Sequence, residues 1–199
     1  MNRILIGAGI VAAAVIGSAQ AQQKTVRVVG QIASVDGPTI VVKQVKGGDA
    51  KVTLRPKAAI FGVTKATLKD VTPGAFIGVG ATPQADGTQK AIRVMIFAET
   101  QRGQGEGHRP WSRPGTTMTN ATVDTTAAGV DGQVLTVKYK GGTQKIVIGP
   151  DAIIMAYVVG NQSELKPGAR VAINGAIQMP DGSLEATRVN VGRGDVQPD

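Results

Sequence analysis

The chain repeats itself at an interval of 94 or 95 residues, and that interval limits what it can fold into more than any other feature. Val35-Asp36-Gly37 returns as Val130-Asp131-Gly132, Gly47-Gly48 as Gly141-Gly142, Pro73-Gly74-Ala75 as Pro167-Gly168-Ala169, and Asp86-Gly87 as Asp181-Gly182. Between these markers Lys51, Pro56, Ala58 and Ile60 return as Lys145, Pro150, Ala152 and Ile154, and Ala91, Arg93 and Val94 as Ala186, Arg188 and Val189. Register kept over so many positions marks two copies of one structural unit. The copies span residues 25–99 and 117–192, with a linker over 100–116 and a flexible tail expected over 193–199.

Within each copy apolar residues alternate with polar ones, the period of a strand with one buried face. Val52 and Leu54 are flanked by Lys51, Thr53 and Arg55, and Leu135, Val137 and Tyr139 are separated by Thr136 and Lys138. The Asp-Gly and Gly-Gly pairs fall between such runs, where a two-residue hairpin needs positive φ. Residues 65–71 and 161–166 each fit one or two helical turns, stopped by Pro73 or Pro167 with a following Gly. With 27 Gly, 10 Pro and 3% aromatic residues, short strands and frequent turns suit the composition. The expected fold is all-β: two tandem small OB-like five-stranded barrels, each with a short helical turn between strands 3 and 4. A unit of about 75 residues buries little core alone, so the two are expected to pack on each other.

Residues 1–21 read as a cleavable signal peptide. Arg3 precedes thirteen uncharged, mostly apolar residues from Ile4 to Ile16, and a small-x-small site closes at Ala21. The apolar run is shorter than the ~20 residues of a membrane-spanning helix, so no integral membrane segment is expected after its removal. The chain has no Cys, which excludes disulfides, thiolate metal sites and a lipid-attachment cysteine. A periplasmic or secreted product is the resulting expectation.

The run Leu165-Lys166-Pro167-Gly168-Ala169-Arg170-Val171, then Asp181-Gly182 and Ala186-Thr187-Arg188-Val189, resembles the small OB-like β-barrel domains of exported bacterial proteins of unknown function. Gly105-Glu106-Gly107-His108-Arg109-Pro110-Trp111, followed by Thr117-Met118-Thr119-Asn120-Ala121, is similar to the joint of their two-copy members. The resemblance covers nearly all of the chain after the leader. It rests on turns and buried aliphatics, so it implies an exported barrel and no particular reaction.

Charge is unevenly divided. Residues 25–99 hold ten basic and five acidic side chains, net +5; residues 100–116 hold Arg102, Arg109 and Arg113 against Glu106, net +2; residues 117–192 hold six of each. An anionic partner would meet the first copy and the linker. A nucleic acid is not expected, because the chain is read as exported and its few aromatic residues fall mostly at core positions, whereas single-stranded nucleic acid needs exposed stacking platforms.

No catalytic constellation can be assembled. His108 is the single histidine, and a hydrolytic triad would need it beside an activated nucleophile and oriented by a carboxylate. Glu106 is near, but glycines surround both. His108 and Glu106 are weak candidates for a metal site, which ordinarily takes four ligands from stiff elements. Asp36, Asp86, Asp131 and Asp181 each precede a Gly and read as turn residues rather than as facing catalytic acids. Short motifs at Arg193-Gly194-Asp195, Asn120-Ala121-Thr122 and Asn161-Gln162-Ser163 match adhesion and glycosylation patterns that arise readily by chance.

The linker is the least ordinary segment. Gly103, Gly105 and Gly107 alternate with Gln104 and Glu106, and Arg109, Trp111 and Arg113 follow. Trp111 is expected to plug the cleft between barrels, or else to stack on a sugar ring or lie beside lipid phosphates. The candidate partner-binding residues are Arg102, His108, Arg109, Trp111 and Arg113, with no cofactor. The functional expectation is a non-enzymatic binding or scaffolding module of the cell envelope facing an anionic or glycan component. The alternative is a solute- or metal-ion-binding accessory of an envelope transport system.

Overall fold

The alternating apolar stretches form strands, and the Gly-containing pairs between them turn the chain. The computed structural model describes residues 23–129 and 132–198; the expected signal peptide and the Val130-Asp131 pair lie outside these. The first copy supplies β1 (Thr25–Asp36), β2 (Thr39–Gln44), β3 (Asp49–Lys65), β4 (Phe76–Pro83) and β5 (Gln89–Ile96). The linker adds β6 (Gly107–Pro110). The second copy supplies β7 (Thr117–Gly129), β8 (Gly132–Tyr139), β9 (Gly142–Ile148), β10 (Ile153–Val159), β11 (Arg170–Gln178) and β12 (Leu184–Gly192). The connection after β3 holds a single 3-10 turn at Leu68–Asp70, and that after β10 one at Gln162–Glu164. Among the described residues no helix is long and apolar enough to cross a membrane.

Strand pairing departs from the expected plan. β1, β2 and β3 pair antiparallel in succession, but β3 is closed by β12, which runs parallel to it, and β12 returns through β11 to β1. The result is a closed five-stranded barrel made of three strands from the first copy and two from the second. The reciprocal ring runs β7, β8, β9, then β5 in parallel, then β4 and back to β7. Residues 25–99 and 117–192 are therefore repeats in sequence but not the units that close. Each copy gives its final hairpin to the other.

The two apolar cores confirm this membership. Val28, Ile32, Val42 and Val52 pack with Val171, Ile173 and Val189 in one ring. Val123, Leu135, Val137 and Ile146 pack with Ile77, Val79 and Val94 in the other. Neither core is complete with side chains from a single copy.

Chain length explains the exchange. β3 is 17 residues long, which at strand rise spans about 55 Å, far more than one edge of a small barrel. Asp49–Leu54 serve β2 and β12, and the strand continues to pair Phe61–Lys65 antiparallel with β10. Its end is thus delivered beside the second ring, and the short connection to Phe76 keeps β4 there. Val63 faces Tyr157, Phe61 faces Val159 and Lys65 faces Met155. The repeat interval of 94 carries Val63 onto Tyr157 itself, so a pseudo-twofold axis passes through this pair. The parallel seams obey the same symmetry: Arg188 lies opposite Ala59, and Arg93 opposite Ile153.

β3 passes Pro56 by means of Lys57, which has φ of 63°, a left-handed conformation that costs an L-residue roughly 1–2 kcal/mol. In the second copy Pro150 instead separates β9 from β10. Lys57 is exposed, so Lys57→Gly is expected to raise stability by about 0.5–1 kcal/mol, even after the added freedom of the unfolded chain. Urea unfolding measures this, and an unchanged or lower midpoint would contradict the strain.

The C-terminal segment, expected to be a flexible tail, folds back as far as it is described. Val196 is 6% exposed and joins Val63 and Met155 in a small apolar cluster. Gly192 lies against the Val196 carbonyl, where a Cβ would sit 2.0 Å from the oxygen. Arg193 pairs with Glu164 at 2.9 Å and Asp195 with Lys65 at 2.7 Å, which occupies both charged ends of the Arg193-Gly194-Asp195 motif. Arg193 holds the Glu164 carboxyl below the usual range.

Candidate binding surface

The linker is not a free joint. β6 lies antiparallel on β7, with His108 opposite Thr119. Thr119 Oγ1 and His108 Nδ1 are 2.8 Å apart in a hydrogen bond, and the imidazole stacks on Tyr139 with centroids 6.4 Å apart. Arg102 Nη2 donates to Glu99 Oε2 at 2.8 Å and to the Gly74 carbonyl at 2.9 Å. Arg109 Nη1 donates to the Gly105 carbonyl at 2.9 Å. Glu106 Oε1 accepts from the Lys140 backbone N–H at 2.9 Å, at the turn between β8 and β9. Among the described residues no three His, Asp or Glu side chains gather at metal-ligating spacing.

Trp111 lies half-buried on the outside of the second ring, over Gly80 of β4. A Cβ at Gly80 would stand 2.4 Å from Trp111 Cζ3, so the indole takes the place that a side chain at position 80 would fill. Gly80 pairs with Arg93, so Trp111 covers β4 on the sheet face that also carries Arg93. Of the linker candidates, Arg113 is exposed, and its charge acts on Arg93.

Two of the acids that precede glycines, Asp86 and Asp181, are turn residues. Asp86 Oδ1 accepts from the Thr88 N–H at 2.9 Å, and Asp181 Oδ1 from the Ser183 N–H at 2.9 Å. These hydrogen bonds hold both carboxyls below the usual range. In the same way Asn161 Oδ1 caps the Gln162–Glu164 turn through the Ser163 N–H.

Strand exchange brings together residues that are far apart in sequence. Across the pseudo-dyad runs a chain of rings: Phe76 to Phe97 at 5.3 Å, Phe97 to Tyr157 at 5.7 Å, and Tyr157 to Phe61 at 6.1 Å. Pairing register places Phe61, Tyr157, Arg93 and Arg188 on one face of the continuous sheet, because residues opposite one another in a ladder point to the same side. The Arg188 guanidinium stacks on Phe61 and Tyr157, 4.7 and 4.8 Å from the two centroids. Its Nε donates to Asn190 Oδ1 at 3.0 Å and its Nη1 to Gln104 Oε1 at 3.1 Å.

Electrostatics on this face are cationic. Burial draws the Arg188 guanidinium below the usual arginine value. Burial does the same to Arg93, and the neighbouring charges of Arg113 and Arg27 add to it. Burial raises the Tyr157 phenol while the Arg188 and Arg93 charges pull it back. Both arginines remain charged at any physiological pH. A signal for them exists in the sequence: Arg93 and Arg188 keep register in both copies, between Ala91 and Val94 and between Ala186 and Val189. A cation held at the same place in two repeated strands marks a special position, but its direction depends on the pairing.

A second concavity lies at the seam between β5 and β9, a groove of about 1200 Å³ lined by Leu68, Lys90, Ala91, Asp151 and Ile154 among others. The equivalent seam of the first ring carries the Arg55–Glu185 ion pair at 2.7 Å. By the repeat, Gly149 and Lys90 stand at those two positions in the second ring, which leaves the groove open.

These features define an all-β protein with a closed small barrel whose hairpins are shared between repeats. A family model for a domain of unknown function, DUF5666, matches residues 120–190. The matched span is the second repeat without its first few residues, and its strands lie in both rings. No curated protein and no solved structure matches the chain.

Proposed function

We propose that the protein is a non-enzymatic, exported binding or scaffolding module of the cell envelope, built on OB-like rings and directed at an anionic or glycan component. The ring order, with the third and fifth strands parallel and the fourth beside the first, supports the OB-like reading; such barrels commonly carry ligands on an outer strand face. The observation that carries the proposal is the cationic face at the pseudo-dyad, where the half-buried Arg188 guanidinium stacks on Phe61 and Tyr157, Arg93 lies half-buried on the same sheet face, and the charges of Arg113 and Arg27 act on Arg93. Desolvated cations of one sign favour an anionic partner and set its rate of approach. The site differs from the linker set: Arg102, His108 and Arg109 already have partners within the chain, and Arg113 is the member that contributes.

Retention on immobilised dextran sulfate across a salt gradient tests the proposal. Replacing Arg27 and Arg113 together by Gln is expected to move elution to markedly lower salt. Replacing Lys140 and Lys145 together, which removes the same charge from the second repeat, is expected to move it much less. Equal shifts would reduce the interaction to net charge and sink the assignment of this face.

A further inference from the structure

We infer that the groove at the seam of β5 and β9 binds a short aliphatic peptide with free ends, its carboxylate on Lys90 and its ammonium on Asp151. The site is separate from the arginine face. The repeat shows what fills the same place in the first ring, where Arg55 pairs across the seam with Glu185 at 2.7 Å. In the second ring Gly149 stands for Arg55, Lys90 for Glu185, Leu68 for Gln162 and Asp151 for Lys57. The first of these differences removes a side chain from the seam, and the third adds an apolar one to the lining of the groove.

Pairing opens the seam further. β3 and β12 pair at Val52, Thr53 and Leu54 before the ladder shifts, whereas β9 and β5 pair only at Ile146 and Val147. Ile148 and Ala91, which repeat Leu54 and Ala186, fall outside that ladder and line the groove instead. They are 1% and 7% exposed and belong to the second core, and Leu68, Ala152 and Ile154 of the lining pack against the same core. The described lining is aliphatic, and its volume of about 1200 Å³ is that of a site for a drug-sized ligand or larger.

Charge at the rim selects the ends. Lys90 and Asp151 are exposed, and among the described residues neither side chain has an ion-pair or hydrogen-bond partner. Asp86, the other carboxylate of the lining, is held in its turn by the Thr88 N–H and hydroxyl. One free cation and one free anion match a zwitterion; a fatty acid or an aliphatic amine would leave one of them facing a like charge. A tripeptide, up to about 10 Å long when extended, can reach both.

Isothermal titration with trileucine tests the site. Saturable one-to-one binding is expected, with N-acetyl-trileucine amide, which lacks both charges, about tenfold weaker. Decanoate and decylamine should each bind more weakly than trileucine. Lys90→Gln and Asp151→Asn should each weaken trileucine about threefold; Asp151→Asn should not affect the N-acetyl peptide, nor Lys90→Gln the peptide amide. Gly149→Arg combined with Lys90→Glu, which moves the ion pair of the first ring into this seam, should abolish saturable binding. If that protein fails to fold by circular dichroism, Leu68→Gln carries the test, with an expected loss of about fivefold. The Arg27 and Arg113 double variant should bind trileucine like wild type. Absence of saturable trileucine binding, equal affinity for the doubly capped peptide, tighter binding of decanoate or decylamine, or wild-type affinity in the folded groove variants overturns the assignment.

Discussion

The second repeat expressed alone, residues 117–192, is expected to be a dimer in solution with no folded monomer. Its three-strand half places Val123, Leu135, Val137 and Ile146 in a core that is covered in the full chain by Ile77, Val79 and Val94 from the first repeat. Without those partners the repeat exposes an apolar face and an unpaired strand edge, neither of which a small domain can sustain. A second copy can supply the missing hairpin, because β11 and β12 already satisfy an equivalent ring. The pseudo-twofold axis at Val63 and Tyr157 would then become a true one, with Tyr157 facing Tyr157. Exchange of identical elements is a low-cost route to dimers, and stability then depends on concentration. Light scattering coupled to size exclusion should give twice the monomer mass, with far-ultraviolet strand signal lost on dilution. A folded monomer at every concentration would show that one repeat closes on itself.

Gly30→Ala is expected to be the most damaging single substitution among the strand glycines whose φ is not positive. Gly30 sits where β1 pairs with both β11 and β2, opposite Val171 and Gln44. A Cβ there would stand 2.0 Å from the Lys43 carbonyl oxygen and 2.9 Å from the Gln44 Cα. Both are backbone atoms, so no rotamer change relieves the overlap; the strands must part at the point where the barrel closes. Forced backbone shifts in packed cores cost typically 1–3 kcal/mol, and about 3 is expected here. Gly175 on β11 is the matched control, since a Cβ there would meet nothing within 4 Å, and Gly175→Ala should be near neutral. Chemical unfolding of the two variants gives the comparison. Similar midpoints would mean that the close approach at Gly30 relaxes freely.

Both results bear on what the sequence makes legible. The repeat, the strand character and the turns follow from local chemistry. Alternating Val, Ile and Leu need one buried face, and Gly87 and Gly182, with φ of 83° and 84°, sit where the Asp-Gly pairs require positive φ. Ring membership does not follow from local chemistry. The hairpins 76–96 and 170–192 carry the same apolar pattern, so either would fill either barrel with nearly the same contacts. What decides is connectivity: β3 running through Pro56 without stopping, a continuity made by one left-handed residue at Lys57. A proline in a strand pattern ordinarily argues for a break, as Pro150 provides in the second copy.

The candidate surface divides along the same line. The linker stands out by composition, and the Arg102 pairing with Glu99 is a short-range contact that spacing alone allows. The partners of Arg109 and Glu106 depend on how the glycines fold, and the seat of Trp111 depends on Gly80 in a strand from the other side of the linker. Arg93 and Arg188 are visible as matched positions, but whether they meet is a property of the exchange. Before β3 and β10 pair, nothing places them on one face.

The exchange itself is tested most directly by disulfide formation, for which the absence of native cysteine leaves a clean background. Thr53 and Glu185 are register partners across the parallel seam of β3 and β12, at a separation that neighbouring strands bring into disulfide range. In an unexchanged arrangement the repeat would put Lys90 in the place of Glu185. The protein with Thr53→Cys and Glu185→Cys is predicted to oxidise to an intramolecular disulfide, identified by mass spectrometry of the digest, while Thr53→Cys with Lys90→Cys stays reduced as a monomer. Ready formation of the 53–90 bond and failure of the 53–185 bond would contradict the shared-hairpin fold and, with it, the arginine face built at its centre.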